Sequence, residues 1–470
     1  MKKRIFSLFV MVLVVLAASA QDKPKYVFYF IGDGMGVNQV NATETYLGAL
    51  DGRIGIQELC FPSFPQVALA NTQSATNGVT DSAAGGTALA TGHKTKNGAL
   101  GVLKDLTTEV TSVAYWAKKA GAEVGVTTSV SVDHATPASF YAHVGNRGDA
   151  YKIGQQLTKS GFDFFAASDF VKPNAKDGGP DLYQQAKDNG YTIVRSYKEY
   201  QKKAKKAEKM ILFQSEEASK KDRGSIPYAL DRKKGDLTLQ DITRAAIHFL
   251  NKDAQKGFFL MVEGGKIDWA CHANDGATAI QEVIDFDNAI KVAYEFYSQH
   301  PDETLIVVTA DHSTGGMALG TGSYDLNLQV FKNQKSSEEK FTKVLNELRK
   351  QTKNNVTWEM AKQALTEHFG FWGEVKVGKS EEERLMKVYE RSFKGEAAME
   401  KSEYSQSEPL AAEAKRIINA MAKMGWQSGG HSNGYVPVFA IGAGAEAFNG
   451  RIDNTEIPKR IAKAAGWEIQ

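Results

Sequence analysis

The chain predicts an α/β fold in which a largely parallel central sheet is sandwiched by helices, and three observations carry that expectation. Continuous runs of β-branched and aromatic residues, Tyr26 to Ile31 (YVFYFI) and Thr304 to Ala310 (TLIVVTA), have the pattern of strands buried on both faces. Helical stretches alternate with such runs; Ile280, Val283, Ile290 and Ala293, for example, keep helical spacing. Clusters of Asp, Glu and His follow the apolar runs, at the carboxyl ends where open α/β sheets place their sites.

Taken in order, the first strand runs into IGDGMG (Ile31 to Gly36), which brings Asp33 to its end. A strand near Val67 to Ala70 precedes VTDSAAGGTALATGHKTKNG (Val79 to Gly98), where Ala83, Ala84, Gly85 and Gly86 let a helix pack close to a sheet and Asp81 and Ser82 fall at its start. Glu123 to Thr127 leads to SVDHATPASFYAHVGNR (Ser131 to Arg147). Gly257 to Val262 leads to VEGGKIDWACH (Val262 to His272), which sets Glu263, Asp268 and His272 close together. Thr304 to Thr309 opens TADHSTGG (Thr309 to Gly316) with Asp311 and His312, and SGGHSNG (Ser428 to Gly434) carries His431 ahead of a last strand near Val438 to Ile441. Lys159 to Asp236 is polar and lysine-rich, while Lys340 to Lys423 is helical and charged. Both read as peripheral insertions in one domain over 21–470 that folds around a single site, the second as a helical cap near the mouth of the site.

Singly, these residues have structural readings: Asp33 as a turn former beside glycine, His272 as a core histidine, Asp311 and Ser82 as helix caps. Together, Asp33, Glu263, Asp268, His272, Asp311, His312 and His431 are too many for that account. One zinc takes three or four such ligands, so the set implies at least two metals. A serine at a helix N-terminus meets free backbone N–H groups and positive dipole, which favour an anion, and a zinc beside Ser82 would lower the pKa of its hydroxyl. The planar guanidinium of Arg147 matches two oxygens of a phosphate.

Met1 to Ala20 has a basic start (Lys2, Lys3, Arg4), a run from Ile5 to Ala17 that is apolar except for Ser7, and the small residues Ala18, Ser19 and Ala20. This is the pattern of a secretory signal peptide over 1–20, so an exported chain, periplasmic or extracellular, starting at Gln21 is expected. No later segment has the roughly twenty apolar residues of a membrane anchor. The formal net charge of +2 becomes −1 once those three basic residues are removed, which argues against a nucleic-acid partner. The lysine-rich stretch Ser196 to Lys209 reads as the solvated face of a surface helix. Two cysteines, Cys60 and Cys271, permit one bridge and no framework, and two buried thiols are expected.

IGDGMG, TDSAAGGTA, HATPA followed by Arg147, VEGGKIDWACH, TADH and SGGHS, in that order over essentially the whole mature chain, resemble the motifs of the alkaline phosphatase family of the serine-nucleophile, zinc-dependent type. The resemblance implies a first zinc on Asp268, His272 and His431, which stabilises the leaving alkoxide and activates water, and a second on Asp33, Asp311 and His312, which activates Ser82. It also implies a third site on Asp33, Thr136 and Glu263, usually filled by magnesium, and an Asp81 that orients Arg147. Small phosphate monoesters would be hydrolysed through a phosphoserine, inorganic phosphate would be released, and the assembly would be a homodimer. Two positions depart from one common version of the pattern. His134 stands where that version has aspartate, and Trp269, a candidate substrate contact, where some members have lysine. Imidazole favours zinc or cobalt over magnesium, so the third metal stays open, as does whether His134 ligates it or bonds a ligand.

Three other functions compete. A phosphodiesterase or sulfatase on the same metals is disfavoured by Ser82 with Arg147, because a diester has one fewer free oxygen for a bidentate guanidinium. The export signal disfavours a metal-dependent phosphoglycerate mutase. A phosphate-binding protein without turnover is disfavoured by the nucleophile together with the full ligand set.

Overall fold

The computed structural model describes residues 23–175, 178–395 and 398–469, and the expected signal peptide over 1–20 lies outside the described residues. One sheet holds ten strands: β1 (Tyr26–Gly32), β2 (Gln66–Asn71), β3 (Glu123–Thr128), β4 (Phe164–Ala167), β5 (Tyr191–Arg195), β6 (Lys209–Phe213), β7 (Phe258–Gly264), β8 (Thr304–Thr309), β9 (Val436–Gly442) and β10 (Gly450–Asp453). Their spatial order is β10-β2-β9-β8-β1-β7-β3-β4-β6-β5. Every neighbouring pair is parallel except the two that β9 makes, with β2 and with β8. Among the helices, those that bear on the site are α1 (Val37–Leu50), α2 (Ser82–Thr91), α3 (Ala135–Ala138), α4 (Lys266–His272), α5 (Gly276–Gln299), α6 (Glu338–Gln351), α7 (Trp358–Phe369), α8 (Lys379–Tyr389) and α9 (Pro409–Ala422).

β1 shows why its sequence is apolar throughout. Successive strand residues point to opposite faces, and both faces are covered. Phe28 and Phe30 meet Phe296 and Phe286 of α5, with ring centroids 5.7 and 5.9 Å apart, while on the other face Tyr29 donates its hydroxyl to the carbonyl of Leu89 on α2 at 3.3 Å. All seven residues of β1 are buried, each large apolar side chain contributing about 1.5–3 kcal/mol of burial free energy.

The register of the central strands assembles the site. Ile31 of β1 pairs with Glu263 of β7 on one side and Thr309 of β8 on the other. Asp33 and Asp311, each two residues further on, therefore leave the sheet at the same height. β1 is also where the chain turns from one half of the sheet to the other, since β2 lies on one side of it and β3 on the other.

The segment 159–236, expected as a peripheral insertion, extends the sheet itself by contributing β4, β6 and β5 as its outer strands. These strands are only four or five residues long, and the lysines of the intervening helix Tyr197–Lys203 mask their periodicity. By contrast, 340–423 is helical as expected, with α7, α8, α9 and most of α6; its strands are the two-residue pair Glu400–Lys401 and Gln406–Ser407. Cys60 and Cys271 are both free, but only Cys271 is buried, Cys60 being half-buried. No helix among the described residues is long and apolar enough to cross a membrane.

Candidate metal centre

Three groups of side chains converge at the carboxyl end of the sheet, each with donor atoms within 4.8 Å of one another: Asp268, His272 and His431; Asp33, Asp311 and His312; Asp33, His134 and Glu263. Asp268 and His272 are i and i+4 on α4, hence on one helical face. His431 pairs beside Thr314 in a short antiparallel bridge that also aligns Ser432 with Ser313. Gly34, with φ of 70°, explains the glycine after Asp33: a Cβ there would stand 2.8 Å from both Asp268 Oδ1 and Thr314 Oγ1.

Hydrogen bonds fix which ring nitrogens face inward. The carbonyls of Gly429 and Thr80 take the Nδ1–H of His272 at 2.6 Å and of His431 at 2.8 Å, which leaves both Nε2 atoms facing each other 3.1 Å apart. Asp268 Oδ2 lies 3.2 Å from His272 Nε2. Thr314 donates its hydroxyl to Asp268 Oδ1 at 2.5 Å, so its oxygen accepts the Nδ1–H of His312 at 3.2 Å. His312 Nε2 then faces Asp33 Oδ1 at 3.4 Å and Asp311 Oδ2 at 3.3 Å. Such outer bonds orient imidazole and raise its basicity towards a cation.

Both oxygens of Asp33, Oε1 of Glu263, Oδ2 of Asp268 and Nδ1 of His134 are buried without a hydrogen-bond partner. A native interior does not leave so many polar atoms of one sign adjacent and unsatisfied unless a cation sits among them, so the residues fit divalent ions. Their titration says the same. Burial, then the charge of Asp311, pushes Asp33 well above the usual carboxylate range. Burial raises Glu263 to about 8, and burial with the charge of Asp268 raises Asp311 to about 7. Burial opposes a charge on His272, yet Asp268 lifts it to about 9. Asp268 is lowered in spite of its burial by His272, His431 and His312. Burial and Arg147 hold His134 down at about 3, a neutral ring available as a donor atom.

Ser82 is the first residue of α2, as its sequence predicts, and is fully buried, with Oγ 3.3 Å from His312 Nε2. Asp81 caps the helix by accepting from Ala84 N–H at 3.0 Å, and its second oxygen accepts from Gly98 N–H at 3.0 Å and from Arg147 Nη1 at 3.3 Å. Gly85 and Gly86 let α2 approach: a Cβ on the first would lie 3.0 Å from the carbonyl oxygen of Asp311, and on the second 2.8 Å from Ser139 Oγ. Thr136, on α3, donates towards Asp311 Oδ2 at 3.5 Å. Every site residue proposed from sequence is thus brought to one place, Trp269 included, its ring centroid 6.1 Å from that of His134.

Sequence reasoning missed four neighbours. Thr314 lies inside TADHSTGG, yet nothing in the motif marks its hydroxyl as the link between two ligand groups. Thr128, at the end of β3, donates to Glu263 Oε2. Glu403 and Tyr404 come from the helical segment: Glu403 Oε2 is 3.5 Å from His272 Nε2, and Tyr404 stacks on Trp269. A tyrosine in a charged stretch gives no sequence signal of this kind.

Known proteins share this arrangement of chain. A family model described as alkaline phosphatase matches residues 24–163 and 158–467. Alkaline phosphatase 3 of Bacillus subtilis (strain 168) is 32% identical over 476 residues, spanning 96% of this chain and 91% of its own. The cold-active alkaline phosphatase of the psychrophile Shewanella sp. superposes with a TM-score of 0.76 at 29% identity, covering 94% of this chain and 99% of that one. A histidine-to-glutamate mutant of TAB5 alkaline phosphatase, with Mg bound in its M3 site, superposes with a TM-score of 0.66 at 28% identity over 95% and 99%. Because the match runs past every one of the clustered residues, from Asp33 to His431, the chain belongs to the alkaline phosphatase family of phosphoric monoester hydrolases.

Proposed function

We propose that the chain hydrolyses phosphate monoesters through a phosphoserine on Ser82, in a centre holding two zinc ions and a third divalent ion, and releases inorganic phosphate. The observation that carries this reading is the position of Ser82 Oγ, buried at the start of α2 and 3.3 Å from His312 Nε2, beside carboxylate oxygens that have no partner. Asp268, His272 and His431 would hold one zinc, and Asp33, Asp311 and His312 the other. Bound there, zinc supplies Lewis-acid stabilisation of negative charge on the attacking and leaving oxygens. Ser82 Oγ forms its bond to phosphorus as the ester P–O bond breaks and the departing alcohol takes a proton. Water then attacks the phosphoserine, returning the Ser82 hydroxyl and phosphate.

The remaining residues position the group. Arg147, held by Asp81, offers parallel N–H donors to two phosphoryl oxygens, and the N-terminus of α2 adds positive potential beside them. The third ion would sit among Asp33, Glu263 and His134, with Thr136 at its edge. It would be magnesium, the ion in the M3 site of the TAB5 mutant, or zinc or cobalt were His134 to ligate it. Trp269 is a wall of the substrate site. The same reading places the chain outside the cytoplasm after removal of 1–20, as one catalytic domain over 21–470 capped by 340–423, working as a homodimer.

Steady-state hydrolysis of an aryl phosphate, a bis-aryl diester and an aryl sulfate, with Ser82→Ala alongside, tests the reading. Monoester turnover should far exceed the other two and collapse in the variant. Preference for diester or sulfate would overturn it.

A further inference from the structure

We propose that Tyr404, delivered by the helical segment, binds the phosphoryl group directly: its hydroxyl donates to a substrate oxygen alongside Arg147. The proposal rests on the phosphatase reading above, in which Arg147 takes that group.

The two-residue strands Glu400–Lys401 and Gln406–Ser407 pair antiparallel, and their turn is closed by Ser402 N–H donating to Ser405 O at 2.9 Å and Ser405 N–H donating to Ser402 Oγ at 3.1 Å. Tyr404 lies in this turn. Its ring stacks on Trp269, centroids 4.7 Å apart and planes within 8°, and meets His272 edge-on at 5.3 Å and His134 at 6.0 Å. Contact with three rings fixes where the phenol sits.

Arg147 Nη2 donates to Tyr404 Oη at 3.3 Å. A guanidinium carries no acceptor, so the direction of that bond is settled: Tyr404 accepts, and its own O–H proton finds no acceptor among the described residues. A phenol carries its proton at neutral pH, so the Tyr404 hydroxyl is available as a donor. Arg147 Nη1 is engaged with Asp81, and Nη2 also faces His134 Nε2 at 3.3 Å. Since Nη2 and Oη are only 3.3 Å apart, an oxygen bonded to Nη2 can lie within hydrogen-bond reach of the phenol. Two donors so placed suit the oxygens of an oxyanion, here the phosphoryl group that Arg147 takes.

Calorimetric binding of inorganic phosphate to the zinc- and magnesium-loaded chain tests the assignment, comparing wild type with Tyr404→Phe, Tyr404→Ala and Arg147→Ala. Phenylalanine keeps the stack and removes only the hydroxyl. Tyr404→Phe should weaken phosphate about tenfold, as expected for one hydrogen bond to a charged group, with an unchanged melting temperature. If Tyr404→Phe binds like wild type while Arg147→Ala binds more weakly, Tyr404 is a wall only and the proposal is overturned with the phosphatase reading intact. If Arg147→Ala leaves phosphate affinity unchanged, the reading of Arg147 fails, and this proposal with it.

Discussion

At the scale of single residues, the centre depends on side chains that hold its donors in place. Thr314 gives its proton to Asp268 and accepts one from His312, so one hydroxyl sets the orientation of a residue in each of two ligand groups. Thr314→Val should lower zinc affinity by about 10–100-fold, the usual cost of losing such a bond, read by competition with a chromophoric chelator. An unchanged affinity would mean that the two groups orient themselves. The same scale shows what was legible beforehand. Asp33, Asp311 and His312 were readable because each follows an unbroken apolar strand, and Asp268 and His272 because VEGGKIDWACH sets them close together after another such run. Thr314, Glu403 and Tyr404 were not, since their importance is created by tertiary contacts between segments far apart in sequence.

Among elements, α2 is the one whose packing sets Ser82. Its run of small residues was legible as a close-approach surface, and the structure gives the reason: Gly86 lies against Ser139 Oγ and Thr136 Cα, where a Cβ would be 2.8 and 3.2 Å away. Gly86→Val should destabilise the fold by about 1–3 kcal/mol through overpacking, measured by denaturant unfolding, and should shift Ser82 away from His312 with a loss of turnover. Stability equal to wild type would show that α2 can move without penalty. The strands β4, β5 and β6 were hidden, because strands of four or five residues beside a lysine-rich helix leave too short a period to recognise. Strand direction was hidden as well: β9 runs against its neighbours, and only pairing across the chain decides that.

For the whole molecule, the buried charges make stability depend on metal and pH together. In the metal-free chain Glu263 (about 8) and Asp311 (about 7) have folded pKa values above those of free carboxyls, so they resist ionisation in the folded state and stability falls as pH rises through that range. His272, raised to about 9, acts in the same direction, because its stabilising proton is lost as pH rises through that value. Between pH 7 and about 9, the melting temperature of chelator-treated protein should therefore fall. That of zinc-loaded protein should hold or rise, since deprotonated ligands bind metal more tightly. Parallel melting curves for the two forms would remove the metals from the account of these residues. The central claim is the phosphoserine, and acid-quenching the metal-loaded chain during turnover of an aryl phosphate, followed by peptide mass spectrometry, tests it most directly. The account predicts phosphate on the peptide carrying Ser82 and on no other; sustained turnover with Ser82 unmodified, or with Ser82→Ala as active as wild type, would contradict it.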